Sequence, residues 1–453
     1  MSSPEADETG KDQPGSVTVA GEAEATEAPD ASAIAATAAP EVMAGSLGEY
    51  ARLWLRRVRS GESGALPVIA GLIVIGAYFQ IREPAFLSAG NIANLMTQAG
   101  FLITFCMAQT FPLLLCEIDL SLGFNAAIGA TITLWMVAIA HPFPTWLAIL
   151  AGIAVCAAIA AIEGLIIVWL RIPSFVVTLA GLLGLNGVLL WLFEQTGGVG
   201  LGGVIQDHNG FINGLVSSNV SPTAGWIILI VAIALAAVAL AGIFMILRDQ
   251  RRRRNGLVAP PLSVTLLKLA AAAAVGVALV LVLNHNRSSG VIPLEGVPWV
   301  VPIVLVLTVI LSVLLGRTKF GRYMYAVGGN AEAARRAGIN LSRIRVLAFA
   351  ALGVIAGITG ILYASFLGSI SNNIAGGQYV LYSVAGAVIG GVSLFGGRGR
   401  ITGAVLGGFV VAVIYNGVIL LGLGAAGQYI WTAAVLLAAV ILDALARRGA
   451  TVT

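Results

Sequence analysis

From residue 66 onward, long apolar runs alternate with short polar breaks. Twelve of these runs are long enough to cross a bilayer, allowing for tilt and for short or broken helices. They lie near 66–80, 92–114, 119–140, 146–170, 175–193, 224–247, 263–283, 299–316, 345–367, 380–395, 403–421 and 429–445. The pattern predicts an all-α, polytopic membrane bundle of about 12 spans over residues 63–448. Two runs are irregular: the third starts with charge, and the tenth is short and broken by glycine. Broken backbone is therefore expected around 115–125 and 380–400.

The ends read differently. Residues 1–48 are rich in Ala, Glu, Pro, Gly, Ser and Thr and cannot bury enough apolar surface to offset the entropy of ordering, which predicts a disordered acidic tail. It lacks the basic start and apolar stretch of a secretory signal. Residues 49–62 set Arg52, Arg56, Arg57 and Arg59 beside Leu53, Trp54 and Leu55, a composition suited to a short helix on anionic lipid.

Composition agrees with the pattern. Of 453 residues 58% are hydrophobic and 10% charged, far from the proportions of a soluble domain. The net charge of +4 hides an asymmetry, because residues 1–49 hold ten of the 21 acids and one base, Lys11. With an even number of spans and the N-terminus inside, 22 of the 25 Lys and Arg fall on the inner side, as the positive-inside rule requires. Both termini are then cytoplasmic. The inner cluster Arg248–Pro261 faces anionic lipid in this reading and not nucleic acid. The outer segments 194–223 and 367–379 carry no Lys or Arg and are rich in Gly, Asn and Ser, as loops that receive a soluble partner can be.

One inner stretch stands apart. Residues 317–345, within "GRTKFGRYMYAVGGNAEAARRAGINLSRIR", are polar and basic between two apolar runs and must lie in water. Asn330 is a good N-cap, Ala331–Ala337 favour helix, and Gly338 supplies the left-handed stop, predicting a two-turn helix. Glu332 precedes Arg335 and Arg336 by three and four residues, a favourable order on an exposed face. Such a capped, charged helix suits docking, and equally suits an ordinary basic loop.

Polar groups within spans are costly and therefore informative. Glu117 and Asp119 stand where the second apolar run gives way to the third, with Ser121 and Asn125 just after. If the backbone breaks there, they form a polar patch lining a cavity; otherwise they sit in a solvated turn. Glu163 is the only acid in its run and should face the bundle interior, as a brace to a neighbouring helix or as a solute contact. Gln109, Asn186, Asn416 and Gln428 can bond solute hydroxyls or join helices. Gly353 and Gly357, Gly386 and Gly390, and Gly403 and Gly407 are spaced four apart, allowing close helix approach. Cys106, Cys116 and Cys156 and the three scattered histidines offer no metal pattern. The chain has no phosphate-binding Gly-x-x-x-x-Gly-Lys-Ser/Thr and no hydrolase or zinc-protease motif, so no enzyme activity and no cofactor of its own are expected.

The loop "FGRYMYAVGGNAEAARRAGIN" closely resembles that of bacterial ABC sugar-importer permeases of the ribose/xylose type. So do Cys116–Gly123 with its Glu-Ile-Asp-Leu-Ser run, "RIPSFVVTLAG" from Arg171 to Gly181, and "VIGGVSLFGGRGRITGAVLGG" from Val388 to Gly408. The extra pair of spans around "NGLVAPP" is most similar to xylose-type members. The resemblance implies that Asn330, Glu332, Ala333, Ala334, Arg335 and Gly338 form a coupling helix seated in a separate ATPase subunit, which binds ATP and Mg. It also implies a homodimer, an extracytoplasmic sugar-binding protein as a further partner, and a multi-pass location in the bacterial inner membrane. It places Glu117, Asp119, Ser121, Asn125, Gln109, Glu163 and Asn186 as candidates along the path of a pentose such as xylose. The other reading is an ion-coupled secondary sugar transporter with Glu117, Asp119 or Glu163 as the coupling carboxylate.

Overall fold

The computed structural model describes residues 66–139, 142–196, 207–241, 262–288, 293–370 and 377–424, with scattered positions from 426 to 437. The acidic tail, the 49–62 segment, the 248–261 cluster and most of the last apolar run lie outside the described residues. So do His141 and Gln428.

The fold is a helical membrane bundle. In chain order its helices are α1 (Leu66–Arg82), α2 (Ala89–Leu114), α3 (Leu122–Val137), α4 (Thr145–Leu170) and α5 (Ser174–Gln195), then the short α6 (Phe211–Ser217). There follow α7 (Pro222–Ala241), α8 (Leu262–Leu283), α9 (Val300–Arg317), α10 (Lys319–Gly329), α11 (Ala331–Arg336), α12 (Leu341–Leu367), α13 (Gly377–Ile389) and α14 (Ile401–Leu420). Two two-residue strands, β1 (Asn219–Val220) and β2 (Val297–Pro298), pair antiparallel between α6 and α9.

The helix α2 is the axis of the molecule. Ser88 caps it, its Oγ accepting from the Asn91 N–H at 3.3 Å, and 72% of its most apolar window is buried. The helices α12, α13 and α14 pack along it, while α12 also lies against α3 and α4. Lipid tails are as apolar as leucine, so contact between these helices depends on packing and polar bonds more than on removal from water. Glycine makes that packing close. A side-chain carbon at Gly407 would overlap the Gly386 carbonyl, and one at Gly390 would overlap the Gly403 carbonyl, so α13 and α14 touch backbone to backbone. By contrast only 11% of the apolar window of α5 is buried, and α7 and α8 form a hairpin that reaches the rest mainly through α2.

Both irregular runs are shortened helices. The 13 residues of α13 span only about 20 Å and the 16 of α3 about 24 Å, against a hydrocarbon core of about 30 Å. Each is completed by non-helical backbone at the same end of the bundle, residues 115–121 before α3 and 390–400 after α13. The expected run 119–140 thus starts as helix at Leu122, and 380–395 stops as helix at Ile389. The polar loop also holds more structure than its caps foretold, since the amphipathic α10 precedes the two-turn helix, which spans Ala331–Arg336.

Candidate functional site

Three groups of residues follow from this framework: an exposed knob, a buried acidic knot beside it, and a cluster of tyrosines near the other end.

The knob is built by successive caps. Thr318 starts α10 by accepting from the Gly321 N–H at 3.2 Å, and Gly321, Met324 and Val327 form the buried face of that helix. Asn330 stops α10 and starts α11, its Oδ1 accepting from the Ala333 N–H at 2.9 Å. At the far end the Gly338 N–H donates to the Arg335 carbonyl and the Ile339 N–H to the Ala334 carbonyl, each at 3.0 Å. This closure needs the left-handed φ of +80° that glycine adopts without strain. Ala334 points inward, while Glu332, Ala333, Arg335, Arg336 and Gly338 are exposed. Glu332 pairs with Arg335 at 2.8 Å and Arg336 at 3.1 Å; on so open a surface such pairs shape the face more than they stabilise it.

This knob touches both broken segments. Gly328 and Gly329 at the end of α10 lie against the Leu114 carbonyl and the backbone of Gly397. The Gly397 N–H in turn donates to the Leu114 carbonyl at 2.9 Å, and the Tyr325 hydroxyl donates to the Gly399 carbonyl at 2.8 Å. On the other side, Asn340 caps α12 by accepting from the Arg343 N–H at 3.0 Å, and Arg345 in its first turn meets Glu117 at 2.9 Å. The buried Glu117 carboxyl thus has an opposite charge beside it. Glu117, Arg345, Arg171, Cys116 and Ser342 line a pocket of about 670 Å³ at this end of the bundle.

Behind Glu117 lies the knot. The Gln109 carboxamide, oriented as its partners require, bridges the Asp119 main chain, accepting from the N–H at 3.1 Å and donating to the carbonyl at 3.3 Å. Asp119 Oδ1 accepts from the Ser121 N–H at 2.7 Å and lies 2.7 Å from Ser121 Oγ, which is itself 2.9 Å from Glu163 Oε2. A hydroxyl has one hydrogen, so it cannot donate to two carboxylates. One of the two carboxyls must therefore carry a proton and donate it to Ser121 Oγ. Asn125 donates to the Cys156 carbonyl at 3.1 Å, tying α3 to α4, and Gly181 of α5 leaves room for the Glu163 carboxyl.

Six of the seven sequence-derived path residues therefore converge where α2, α3 and α4 meet. Asn186 does not join them; it sits half-buried on α5, its Oδ1 without a partner among the described residues. The carboxyls of Glu117, Asp119 and Glu163 are buried and not in a solvated turn. Asn416 pairs with Asn91 of α2 at 2.9 Å and joins two helices.

Sequence reasoning missed the tyrosines. Tyr363 of α12, Tyr379 and Tyr382 of α13 and Tyr415 of α14 gather around Phe101 and Phe105 of α2. Their only linear signal is tyrosine, an aromatic with a polar tip, near the ends of otherwise apolar runs.

A bundle of apolar helices with two shortened spans, a buried polar core and a capped, exposed knob is the build of a multi-pass membrane protein, and the relatives of this chain make it a permease of the bacterial inner membrane. Residues 91–445 match the family described as "Branched-chain amino acid transport system / permease component", and the chain belongs to that family. The xylose transport system permease protein of Escherichia coli is 32% identical over 385 residues, covering 84% of this chain and 92% of that protein. Its counterpart from Haemophilus influenzae is 31% identical over 383 residues (83% and 95%), and the ribose import permease protein of Escherichia coli 26% over 394 residues (87% and 95%). No solved structure matches.

Proposed function

We propose that this chain is the membrane-spanning subunit of an ATP-driven importer for a pentose such as xylose, or a related monosaccharide. Two copies would form the path, a binding protein would deliver sugar to the outer loops, and α11 would seat in an ATPase subunit on the cytoplasmic side. ATP and Mg belong to that ATPase, and this subunit has no catalytic role.

The observation that carries the reading is the placement of α11. It offers an exposed helical face to a partner and sits between two routes inward. One runs back through Gly328 and Gly329 to both broken segments, the other forward through Asn340 to Arg345 and Glu117. A force on the knob thus reaches α2, α12 and α13 at once, as switching the access of a central cavity requires. Names of the similar proteins support a sugar as the solute. The ion-coupled alternative has less support, since Asp119 and Glu163 are tied to Ser121 and Glu117 is paired with Arg345.

Replacing Glu332 by Arg and Gly338 by Val tests this in the chain co-expressed with its ATPase. The ATPase should no longer co-purify and uptake should stop. Survival of both would refute the docking role, and uphill uptake by the isolated chain on an imposed ion gradient would establish the alternative.

A further inference from the structure

The 390–400 segment, α9 and the first turns of α14 surround a cavity of about 820 Å³ at the knob end of the bundle, with Tyr325 of α10 in its wall. That volume is in the range of pockets that hold small ligands, about 300–1,000 Å³. Arg398 and Arg400 line it, both exposed, and neither guanidinium has an acceptor among the described residues. Their backbone is fixed. The Ser393 N–H donates to the Arg398 carbonyl at 2.9 Å, the Gly397 N–H to the Leu114 carbonyl at 2.9 Å, and the Tyr325 hydroxyl to the Gly399 carbonyl at 2.8 Å. The fold itself thus holds two cations at one opening.

At the start of α14 the sign of charge is the reverse of what a helix prefers. Arg400 is the N-cap residue; its side chain has no acceptor atom and makes no capping hydrogen bond. The first N–H groups of α14 and the helix dipole add to the positive potential of the two guanidiniums, an arrangement that favours an anion among them. On the α9 wall, Ser312 has its Oγ shielded from water and without a partner among the described residues. That hydroxyl has a hydrogen to give.

The approach to the cavity says which anion. Val306, Val309, Ile310 and Val313 of α9 are exposed and spaced three and four apart, an apolar stripe that continues to the exposed Gly316 in the cavity wall. Leu315 and Leu406 add apolar lining. A soluble anion gains nothing from such a stripe, whereas an acyl chain lies along one. This end of the bundle also carries Arg171, Arg317, Arg322, Arg343 and Arg345, which sets it on the cytoplasmic side, where basic pockets between helices receive anionic head groups. We propose that the cavity binds an anionic phospholipid of the inner leaflet, its phosphate held by Arg398, Arg400 and the start of α14 and an acyl chain on the α9 stripe. Because Gly397 bonds Leu114 and lies against Gly329, the bound lipid steadies the segment on which the knob rests. The site goes beyond the importer reading and does not depend on it.

The test uses the full-length chain purified in detergent and loaded with phosphatidylglycerol or phosphatidylcholine, with retained lipid read by native mass spectrometry. Wild type should retain phosphatidylglycerol over phosphatidylcholine. Arg398→Gln with Arg400→Gln should lower that retention about 10- to 30-fold, the worth of two basic residues at an anionic surface, while Arg335→Gln with Arg336→Gln on the knob should not. Gly316→Leu has open space around it, keeps both arginines and puts a side chain in the lipid's place. It should lower retention too, and it decides if the arginine variant does not fold. Equal retention by wild type and both cavity variants would overturn the proposal. So would displacement of phosphatidylglycerol by inorganic phosphate beyond that caused by sodium chloride of equal ionic strength, which marks a site for a soluble anion. Loss of ATPase co-purification in the arginine variant with lipid retention unchanged would make these arginines a protein contact and overturn it as well.

Discussion

Glu163→Gln separates a brace from an ion-coupling group. Ser121 Oγ lies between Asp119 Oδ1 at 2.7 Å and Glu163 Oε2 at 2.9 Å, and the hydrogen count places one proton on this pair of carboxyls. A glutamine amide has the same shape as the protonated acid and also donates to Ser121, so the bond survives. The substitution should therefore cost less than about 1 kcal/mol, within the net worth of one hydrogen bond. Ser121→Ala behaves differently. It removes two contacts at once, and Asp119 Oδ2 and Glu163 Oε1 have no other partner among the described residues to compensate. A loss of about 2–4 kcal/mol is expected, the sum of two bonds and the burial of acids left with fewer partners. The assay is thermal unfolding of the detergent-solubilised chain, together with ATP-driven uptake by the assembled transporter. Glu163→Gln should keep both near wild type, and Ser121→Ala should lower the melting temperature. A Glu163→Gln protein that melts normally but no longer transports would refute the reasoning, since only a carboxyl that must gain and lose its proton fails in that way.

Other substitutions test other parts of the fold. Gly407→Ala puts a methyl group against the Gly386 carbonyl and should destabilise by about 1–3 kcal/mol, whereas Gly184→Ala on α5, with open space around it, should be neutral or slightly stabilising; melting temperatures decide. Arg345→Gln removes the charge partner of the buried Glu117 carboxyl and should destabilise by about 1–3 kcal/mol, and a melting temperature equal to wild type would exclude a paired Glu117.

Much of this protein can be read in its linear order. Apolar run length gives membrane helices, because an unpaired backbone cannot sit in lipid. Asn330 and Gly338 give α11 its two ends, because capping and left-handed closure are local. Glycine spacing of four gives the close faces of α13 and α14. The partners across those faces were not legible. Gly386 meets Gly407 and Gly390 meets Gly403 only because the two helices run antiparallel beside each other. Gln109, Asp119 and Ser121 are near neighbours in the chain, but their bond to Glu163 spans 42 residues. The tyrosines come from three helices, and nothing in an apolar run tells which side of its helix faces α2. Linear pattern marked the apolar segments that form helices and the caps that end α11. Packing alone decided which polar groups share a proton, which glycines touch and which rings meet, because those contacts join residues that only the folded bundle brings within reach.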